Sequence, residues 1–155
     1  MVVGGNETAP AVRSRKGVPV RRASAQRALS TGLRFSSTVP ADPVSIAYVR
    51  HAMQSLSEVY GGEKAGDLAL VFTELVTNSI RHTGLGPQDG LEVRLTLGAD
   101  VIAGAVIDTG PGFDPDRLGP VPGVGGGFGL FIVERLTRRW GVDLSDGRTT
   151  VWFEL

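Results

Sequence analysis

The amino-acid sequence predicts an α+β domain built from three helices and five strands. Apolar residues recur at helical spacing in three segments, whereas residues 91–97 alternate between apolar and polar side chains, as a half-buried strand does. Two further strand-like segments are separated by Asp146-Gly147, a dipeptide typical of a two-residue hairpin turn. A chain of 155 residues, 41% of them apolar, can form one such domain around its own core.

The composition excludes several classes of protein. The chain has no cysteine, so it contains no disulfide, thiolate metal site or thiol nucleophile, and this suits a reducing compartment. No apolar run approaches the roughly 18 residues that a membrane span requires, and the N-terminus lacks the apolar core of a signal peptide. We therefore expect a cytoplasmic protein that does not contact membranes.

Charge is distributed unevenly, although sixteen basic residues balance sixteen acidic residues. Residues 1–34 hold seven of the basic residues and one of the acidic residues, which leaves nine basic and fifteen acidic residues in 35–155. A basic tail can contact nucleic acid or an acidic partner, but a tail rich in Gly, Pro, Ser, Ala and Arg favours solvated disorder. We predict a basic, disordered tail over residues 1–31, a folded domain over 32–155, and no direct binding of nucleic acid.

The first half of the domain is predicted to contain one strand and two helices. Residues 33–36 resemble a short edge strand, and the two prolines of the loop over 38–43 would exclude a central strand. Apolar spacing predicts helices over residues 44–60 and 63–83, each ended by glycine. The side of the second helix that is predicted to pack carries Leu68, Phe72, Leu75, Val76 and Ser79.

The second half is predicted to contain four strands and one helix. Residues 114–127, with three prolines and five glycines, are too loose for regular structure, and long loops of this kind are usually functional or disordered. A third helix over 127–139 is predicted to bury Phe128, Phe131, Ile132 and Leu136, with Trp140 just past its end. The four strands are predicted over residues 91–97, 101–107, 141–145 and 149–155.

The polar side of the second helix carries the first chemical motif. Glu74, Asn78, Arg81 and His82 fall within a quarter of the helix circumference. A carboxylate followed one turn later by a carboxamide places a proton acceptor beside an oxygen ligand for a hard cation, which suits a magnesium-phosphate site. The same pattern occurs on the solvated face of an ordinary amphipathic helix.

The second motif, Asp108-Thr109-Gly110-Pro111-Gly112, follows the predicted strand over 101–107. A carboxylate at a strand end can accept a hydrogen bond from an exocyclic amine such as that of adenine, and glycines let the backbone approach a flat ring closely. The alternative interpretation is a surface turn, since Asp, Gly and Pro are the usual turn residues.

The third motif, Gly125-Gly126-Gly127-Phe128-Gly129-Leu130, opens the third predicted helix. Consecutive glycines expose backbone N–H groups, and the helix start adds its positive end, so phosphates can bind there without side chains. A flexible hinge is the alternative. The motif lacks the Gly-Lys-Ser/Thr ending of a Walker loop, and no parallel strand precedes it as in a dinucleotide fingerprint.

Together, Glu-x-x-x-Asn on a helix, Asp-x-Gly-x-Gly after a strand, the glycine-rich loop and Thr149 before the last strand resemble the Bergerat-fold ATP-binding superfamily. That superfamily includes gyrase-type ATPases, a heat-shock chaperone and histidine kinases. Over about residues 33–155 the chain is most similar to bacterial anti-sigma-factor serine/threonine kinases. The resemblance implies a two-layer sandwich in which a mixed, mostly antiparallel sheet carries about three helices on one face.

The resemblance also implies roles for individual residues. Glu74 would be the catalytic base, Asn78 would hold Mg²⁺, and Asp108 would accept a hydrogen bond from the adenine amine. Thr149 would reach the adenine side through its hydroxyl by way of water, and residues 114–125 would form a lid over ATP. The residues implied to bind the nucleotide are Asn78, Arg81, Asp108, Gly110, Gly112, Gly125, Gly127, Gly129, Leu130 and Thr149.

One departure from the family pattern bears on catalysis. Phe128 stands where many relatives have an arginine between the glycines, so a positive charge near the phosphates would be missing. Arg81 resembles the basic residue that histidine kinases carry after the asparagine, and it could compensate. Phosphoryl transfer depends on charge neutralisation, so this departure weakens the case for transfer more than the case for ATP binding.

The resemblance implies a kinase that transfers phosphate from ATP to a serine or threonine of an antagonist protein, sequesters a sigma factor and can form a homodimer. A nucleotide-gated binding module that transfers nothing is the first alternative. A histidine-kinase catalytic domain is the second, but about 30 preceding residues are too few for the paired helices that carry a phospho-accepting histidine. An aspartic protease shares Asp108-Thr109-Gly110, yet such enzymes need an almost all-β scaffold with two facing aspartates.

Overall fold

The computed structural model describes residues 32–112 and 128–155, which form a sheet layer and a helix layer. The elements in chain order are β1 (Leu33–Pro40), α1 (Pro43–Gln54), α2 (Ser57–Tyr60), α3 (Gly62–His82), β2 (Gly90–Leu97), β3 (Ile102–Asp108), α4 (Phe128–Leu136), β4 (Arg139–Ser145) and β5 (Arg148–Glu154). The two-layer α+β fold is confirmed. The predicted tail over 1–31 lies outside the described residues.

The sheet has five strands in the order β1-β2-β3-β5-β4. Each of the four pairings between described strands is antiparallel, so the expectation of a mixed sheet is wrong for this part of the chain. The predicted hairpin between β4 and β5 is confirmed, because Asp146 and Gly147 both have positive φ (54° and 69°), as a two-residue turn with the right twist requires. The register of β3 and β5 places Thr149 beside Asp108.

The core lies between the sheet and α3. The packing side predicted for this helix is confirmed, since Leu68, Phe72, Leu75, Val76 and Ser79 are all buried. The rings of Phe72 and Phe153 meet edge to face at 5.1 Å, a favourable geometry for aromatic pairs. They meet over Gly104 of β3, where a Cβ atom would lie 2.6 Å from Phe72, so the central strand has no space for a side chain at this position.

Two element boundaries in the first half differ from the predictions. β1 continues to Pro40 and pairs over all eight residues with β2, because an edge strand tolerates proline where its free side needs no N–H donor. The helix predicted over 44–60 is interrupted at Ser55 and Leu56, which separate α1 from α2. The Ser55 hydroxyl bonds to the carbonyl of His51 at 3.0 Å, a local contact that competes with continuation of the helix.

The third predicted helix is shorter than expected, and the side chains that it buries differ from the predicted ones. It ends at Leu136, because Arg139 already pairs with Glu154 across β4 and β5 through side-chain contacts of 2.5 and 2.7 Å. Val133 is the buried residue of this helix, whereas Phe128 and Phe131 are 58% and 49% exposed, so their predicted burial is wrong. In the described ranges no helix combines the length and apolar character needed to cross a bilayer.

Candidate nucleotide-binding site

The site begins where the C-terminal half of α3 packs on the end of β3. Asp108, the last residue of β3, is only 3% exposed. Its Oδ2 accepts a hydrogen bond from the Ser79 hydroxyl of α3 at 2.7 Å, and its Oδ1 accepts one from the Gly110 N–H at 2.9 Å. The carboxylate is therefore held by one donor from the helix and one from its own turn.

The turn after β3 has no room for side chains at its two glycines. A Cβ atom at Gly110 would meet Cβ and Cγ2 of Thr83 below contact distance. Gly112 has φ of +73°, and a Cβ there would lie 3.0 Å from Thr149 Oγ1. The Thr149 hydroxyl donates to the carbonyl of Gly110 at 3.1 Å, so β5 supports the turn from the other side. The turn therefore carries no side chain at either glycine, because Thr83 fills the space beside Gly110, and Leu144 and Thr149 fill the space beside Gly112.

A second group of residues lies one turn earlier on α3, beside α4. Glu74 and Asn78 are both partly buried. A Cβ atom at Gly129 of α4 would lie 2.7 Å from Glu74 Oε2 and 3.3 Å from Asn78 Nδ2, so the two helices approach closely at this glycine. Within residues 32–112 and 128–155, the side chains of Glu74 and Asn78 make no hydrogen bond, which leaves their oxygens available to a ligand.

The structure thus brings most of the predicted site residues into two adjacent groups. We name them after the parts of ATP that the resemblance implies for them: the base end is Asp108, Gly110, Gly112 and Thr149, with Ser79 bonded to Asp108, and the phosphate end is Glu74, Asn78 and Gly129. Arg81 is exposed on α3, and Leu130 is partly buried against the core. Gly125, Gly127 and the predicted lid over 114–125 lie outside the described residues.

Sequence reasoning did not find the link between the two groups. It assigned Ser79 to the packing side of the helix, where it indeed lies, but the structure shows its hydroxyl bonded to Asp108. Thr83, one turn later, donates its hydroxyl to the Ser79 carbonyl and covers Gly110. A hydroxyl on an otherwise apolar helix face, directly after Asn78, was the signal available.

The residues present fit a magnesium nucleotide. Two of the lone-pair sites of Asp108 are used by Ser79 and Gly110, and the others can accept a hydrogen bond from an amine. No group of three or more acidic or histidine side chains that could hold a metal occurs in the described part of the chain. Mg²⁺ in such a site relies on few protein oxygens together with phosphate oxygens, and the Asn78 carboxamide offers one.

Comparison with known families identifies the class to which this α+β domain belongs. The family described as "Histidine kinase-like ATPase domain" matches residues 39–155, and the chain belongs to this family. An α+β ATPase domain does not fit the aspartic-protease alternative.

Individual relatives show which proteins of this family the chain resembles. The chain is similar to "Serine-protein kinase RsbW" from Listeria monocytogenes serovar 1/2a, with 30% identity over 118 residues that cover 66% of this chain and 74% of the relative. The protein of the same name from Listeria innocua serovar 6a matches with the same identity and coverage. The resemblance to anti-sigma-factor kinases of the Bergerat fold is confirmed at this level.

A solved structure supports the fold. The crystal structure of the RsbU and RsbW domains of Rv1364c from Mycobacterium tuberculosis matches with a TM-score of 0.57 and 18% identity. The match covers 79% of this chain and 31% of that one, so this chain spans about a third of the solved protein. At this identity the likeness concerns the fold alone.

Proposed function

We propose that the protein is an ATP-dependent serine/threonine protein kinase that phosphorylates an antagonist protein and regulates a sigma factor by sequestering it. The family supports ATP binding, and the naming of the Listeria relatives as serine-protein kinases supports transfer to serine. The observation that carries the proposal is the arrangement on α3, where Ser79 contacts the buried Asp108 while Glu74 and Asn78 face Gly129.

The residues of the base end would recognise adenine. Asp108 is buried and oriented, and it would accept the hydrogen bond of the 6-amino group. Gly110 and Gly112 would keep side chains out of the turn beside Asp108, because neighbouring side chains of the protein fill the space that a Cβ atom would take at each position. Thr149 is 1% exposed and already bonded to Gly110, so it would support the floor and reach the base by way of water.

The residues of the phosphate end would perform the transfer. Asn78 would offer its carboxamide oxygen to Mg²⁺, and Gly129 lets the start of α4 approach both polar side chains. Bound Mg²⁺ would neutralise charge on the phosphates. Glu74 would accept the proton of the serine or threonine hydroxyl as the hydroxyl oxygen bonds to the γ-phosphorus, while the bond from that phosphorus to the β–γ bridging oxygen breaks and ADP leaves.

A nucleotide-gated binding module is the second candidate, and one feature favours it. Among the described residues no basic side chain forms an ion pair with Glu74, and Phe128 occupies the position beside Gly129. Transfer requires neutralisation of the charge that develops on the phosphoryl group, whereas binding needs less of it. Such a module would bind adenine with the same residues of the base end but would transfer no phosphate.

Incubation of the purified protein with labelled ATP, Mg²⁺ and candidate antagonist proteins tests the proposal. The kinase predicts label on a serine or threonine of one antagonist, identified by mass spectrometry. ATP binding by calorimetry without label on any candidate would favour the binding module, and no ATP binding would refute both. Binding to purified sigma factors and the mass in solution would test sequestration and the expected homodimer separately.

A further inference from the structure

We propose that Ser79 positions Asp108 and thereby sets the preference of the site for a 6-amino purine over a 6-oxo purine. The inference rests on the proposed recognition of adenine by Asp108. It concerns a residue of the buried side of α3, not one of the polar side that the sequence motifs single out.

The Ser79–Asp108 contact is buried and short. Ser79 is 5% exposed, Asp108 is 3% exposed, and Ser79 Oγ lies 2.7 Å from Oδ2. Asp108 forms no ion pair with any residue of 32–112 or 128–155. In that part of the chain, its negative charge is therefore stabilised by the Ser79 hydroxyl and the Gly110 N–H, and removal of either donor leaves one oxygen without a partner.

Ser79 is itself held in place from two directions. Its carbonyl accepts the hydroxyl of Thr83, and Thr83 packs against Gly110, whose N–H binds Asp108. The Thr83 oxygen in turn accepts the Leu85 N–H at 3.4 Å, just after α3 ends. The last turn of the helix and the turn after β3 are thus joined around one carboxylate, which fixes its plane.

This arrangement favours one class of base. Ser79 and Gly110 each donate to one oxygen of the Asp108 carboxylate, and its remaining lone pairs can accept a hydrogen bond but cannot donate one. The 6-amino group of adenine donates and is bound. The 6-oxo group of hypoxanthine or guanine would place an acceptor against a buried acceptor, which leaves both unpaired and is strongly rejected.

Removal of the Ser79 hydroxyl would loosen this selection. In Ser79→Ala, Asp108 keeps the Gly110 contact but loses the donor on Oδ2, so its plane is no longer fixed and the carboxylate can rotate away from the position in which it opposes a 6-oxo group. We expect the affinity for ATP to fall about tenfold, because a hydrogen bond to a charged group is lost and water restores part of it. The affinity for inosine triphosphate should fall much less, so the affinity for ATP divided by the affinity for inosine triphosphate should decrease.

Calorimetric titration with ATP and with inosine triphosphate tests this on the full chain and four variants: Ser79→Ala, Ser79→Cys, Asp108→Asn and the double variant Ser79→Ala/Asp108→Asn. Ser79→Cys keeps the size of the side chain with a weak donor and should behave like Ser79→Ala. Ser45→Ala is the matched control, since Ser45 is a buried serine (3% exposed) on α1. It should leave both affinities unchanged.

The double variant separates positioning from a general structural effect. If Ser79 acts through Asp108, Ser79→Ala should hardly change ATP affinity once Asp108→Asn is present. Equal fold-changes in both backgrounds, or an unchanged ratio between ATP and inosine triphosphate in both Ser79 variants, would overturn the inference and leave the adenine site intact. If Asp108→Asn itself leaves ATP affinity unchanged, the proposed adenine site fails and this inference fails with it.

Discussion

At the base end of the candidate site, Asp108, Ser79 and Thr149 are at most 5% exposed. Ser79 donates directly to Asp108, and Gly110 links Asp108 to Thr149 by a hydrogen bond to each. At the phosphate end, Glu74 and Asn78 are only partly buried, and their side chains bond to nothing in the described part of the chain. The Ser79–Asp108 bond also holds α3 against β3, and the Thr149–Gly110 bond holds β5 against the turn after β3. Changes at the base end should therefore alter binding and folding together, whereas loss of the Glu74 carboxylate at the phosphate end should alter chemistry alone.

The largest expected effect is that of Glu74→Ala on phosphate transfer. Loss of a general base lowers a rate by roughly 10²–10⁴-fold, and a loose transition state, in which the hydroxyl proton leaves late, favours the lower end of that range. The thermal stability should stay close to that of the native protein, because the described structure gives this side chain no hydrogen bond to lose. The measurement is the rate of label transfer to the antagonist at saturating ATP.

Glu63→Ala is the matched control for this experiment. Glu63 is an exposed glutamate in the first turn of the same helix, eleven residues before Glu74. It should transfer phosphate at the native rate. Equal transfer by the Glu74 and Glu63 variants would remove Glu74 from the role of base.

Asp108→Asn should have the next largest effect, now on ATP affinity. The amide fills the same space but presents a donor to the adenine amine, and a hydrogen bond to a charged group contributes roughly 1.5–3 kcal/mol. The dissociation constant should therefore rise roughly ten- to hundredfold, measured by calorimetry. Asp100→Asn, in the exposed turn between β2 and β3, is the control that should bind ATP normally. An unchanged affinity in Asp108→Asn would refute the assignment of the base end.

Gly110→Ala should show that the base end also carries stability. The new Cβ would overlap Thr83 near its backbone, so the turn and the end of α3 must separate. Overpacking of this kind costs roughly 1–3 kcal/mol. For a chain of this size that lowers the melting temperature by roughly 2–12 °C. Gly66→Ala, on an open part of α3 with nothing within 4 Å, is the control and should melt no lower than the native protein.

The smallest effect is expected outside both ends, at Glu92 of β2. Hydrogen bonds from Arg94, and then from Arg148 and Ser36, hold the pKa of Glu92 below its ordinary value of 4.5, although partial burial opposes them. A carboxyl whose pKa is lower in the folded state stabilises the protein above its ordinary pKa, and this contribution disappears as the pH falls through the folded value.

Glu92→Gln should thus lower the free energy of unfolding slightly near neutral pH. The two arginines are 46% and 45% exposed, so solvent screens the pairs and the loss should be below about 1 kcal/mol. Urea unfolding at several pH values should show the native and variant curves converging in acid. A gap that persists at the lowest pH would mean that the effect comes from packing, and ATP affinity should not change at any pH.

The sequence predicted those parts of the molecule that depend on local pattern. The packing side of α3, the alternation of β2 over residues 91–95 and the turn at Asp146-Gly147 all follow from spacing or dipeptide chemistry, and the structure confirms them. The alternation fails at the end of β2, where Thr96 is buried and Leu97 only partly buried. The exposure of Phe128 and Phe131 was not predictable from periodicity, because an apolar stripe on a short helix does not reveal which side the rest of the chain covers.

The link from Ser79 to Asp108 shows the same limit within the site. The two residues are 29 positions apart, and their contact exists only because α3 packs on the end of β3. The motifs found Asp108 from its place at a strand end and Glu74 from its spacing to Asn78. They did not find the hydroxyl that holds the carboxylate, because its position fits an ordinary packing role.

The central claim, that one helix serves a base end for binding and a phosphate end for chemistry, is tested most directly by measuring Glu74→Ala and Asp108→Asn side by side. Each variant needs an ATP titration and a transfer rate at saturating ATP. We predict that Glu74→Ala keeps the native affinity and loses transfer, whereas Asp108→Asn loses affinity and transfers at close to the native rate once saturated. If both variants lower the same quantity and spare the other, the division of the site into two ends is contradicted.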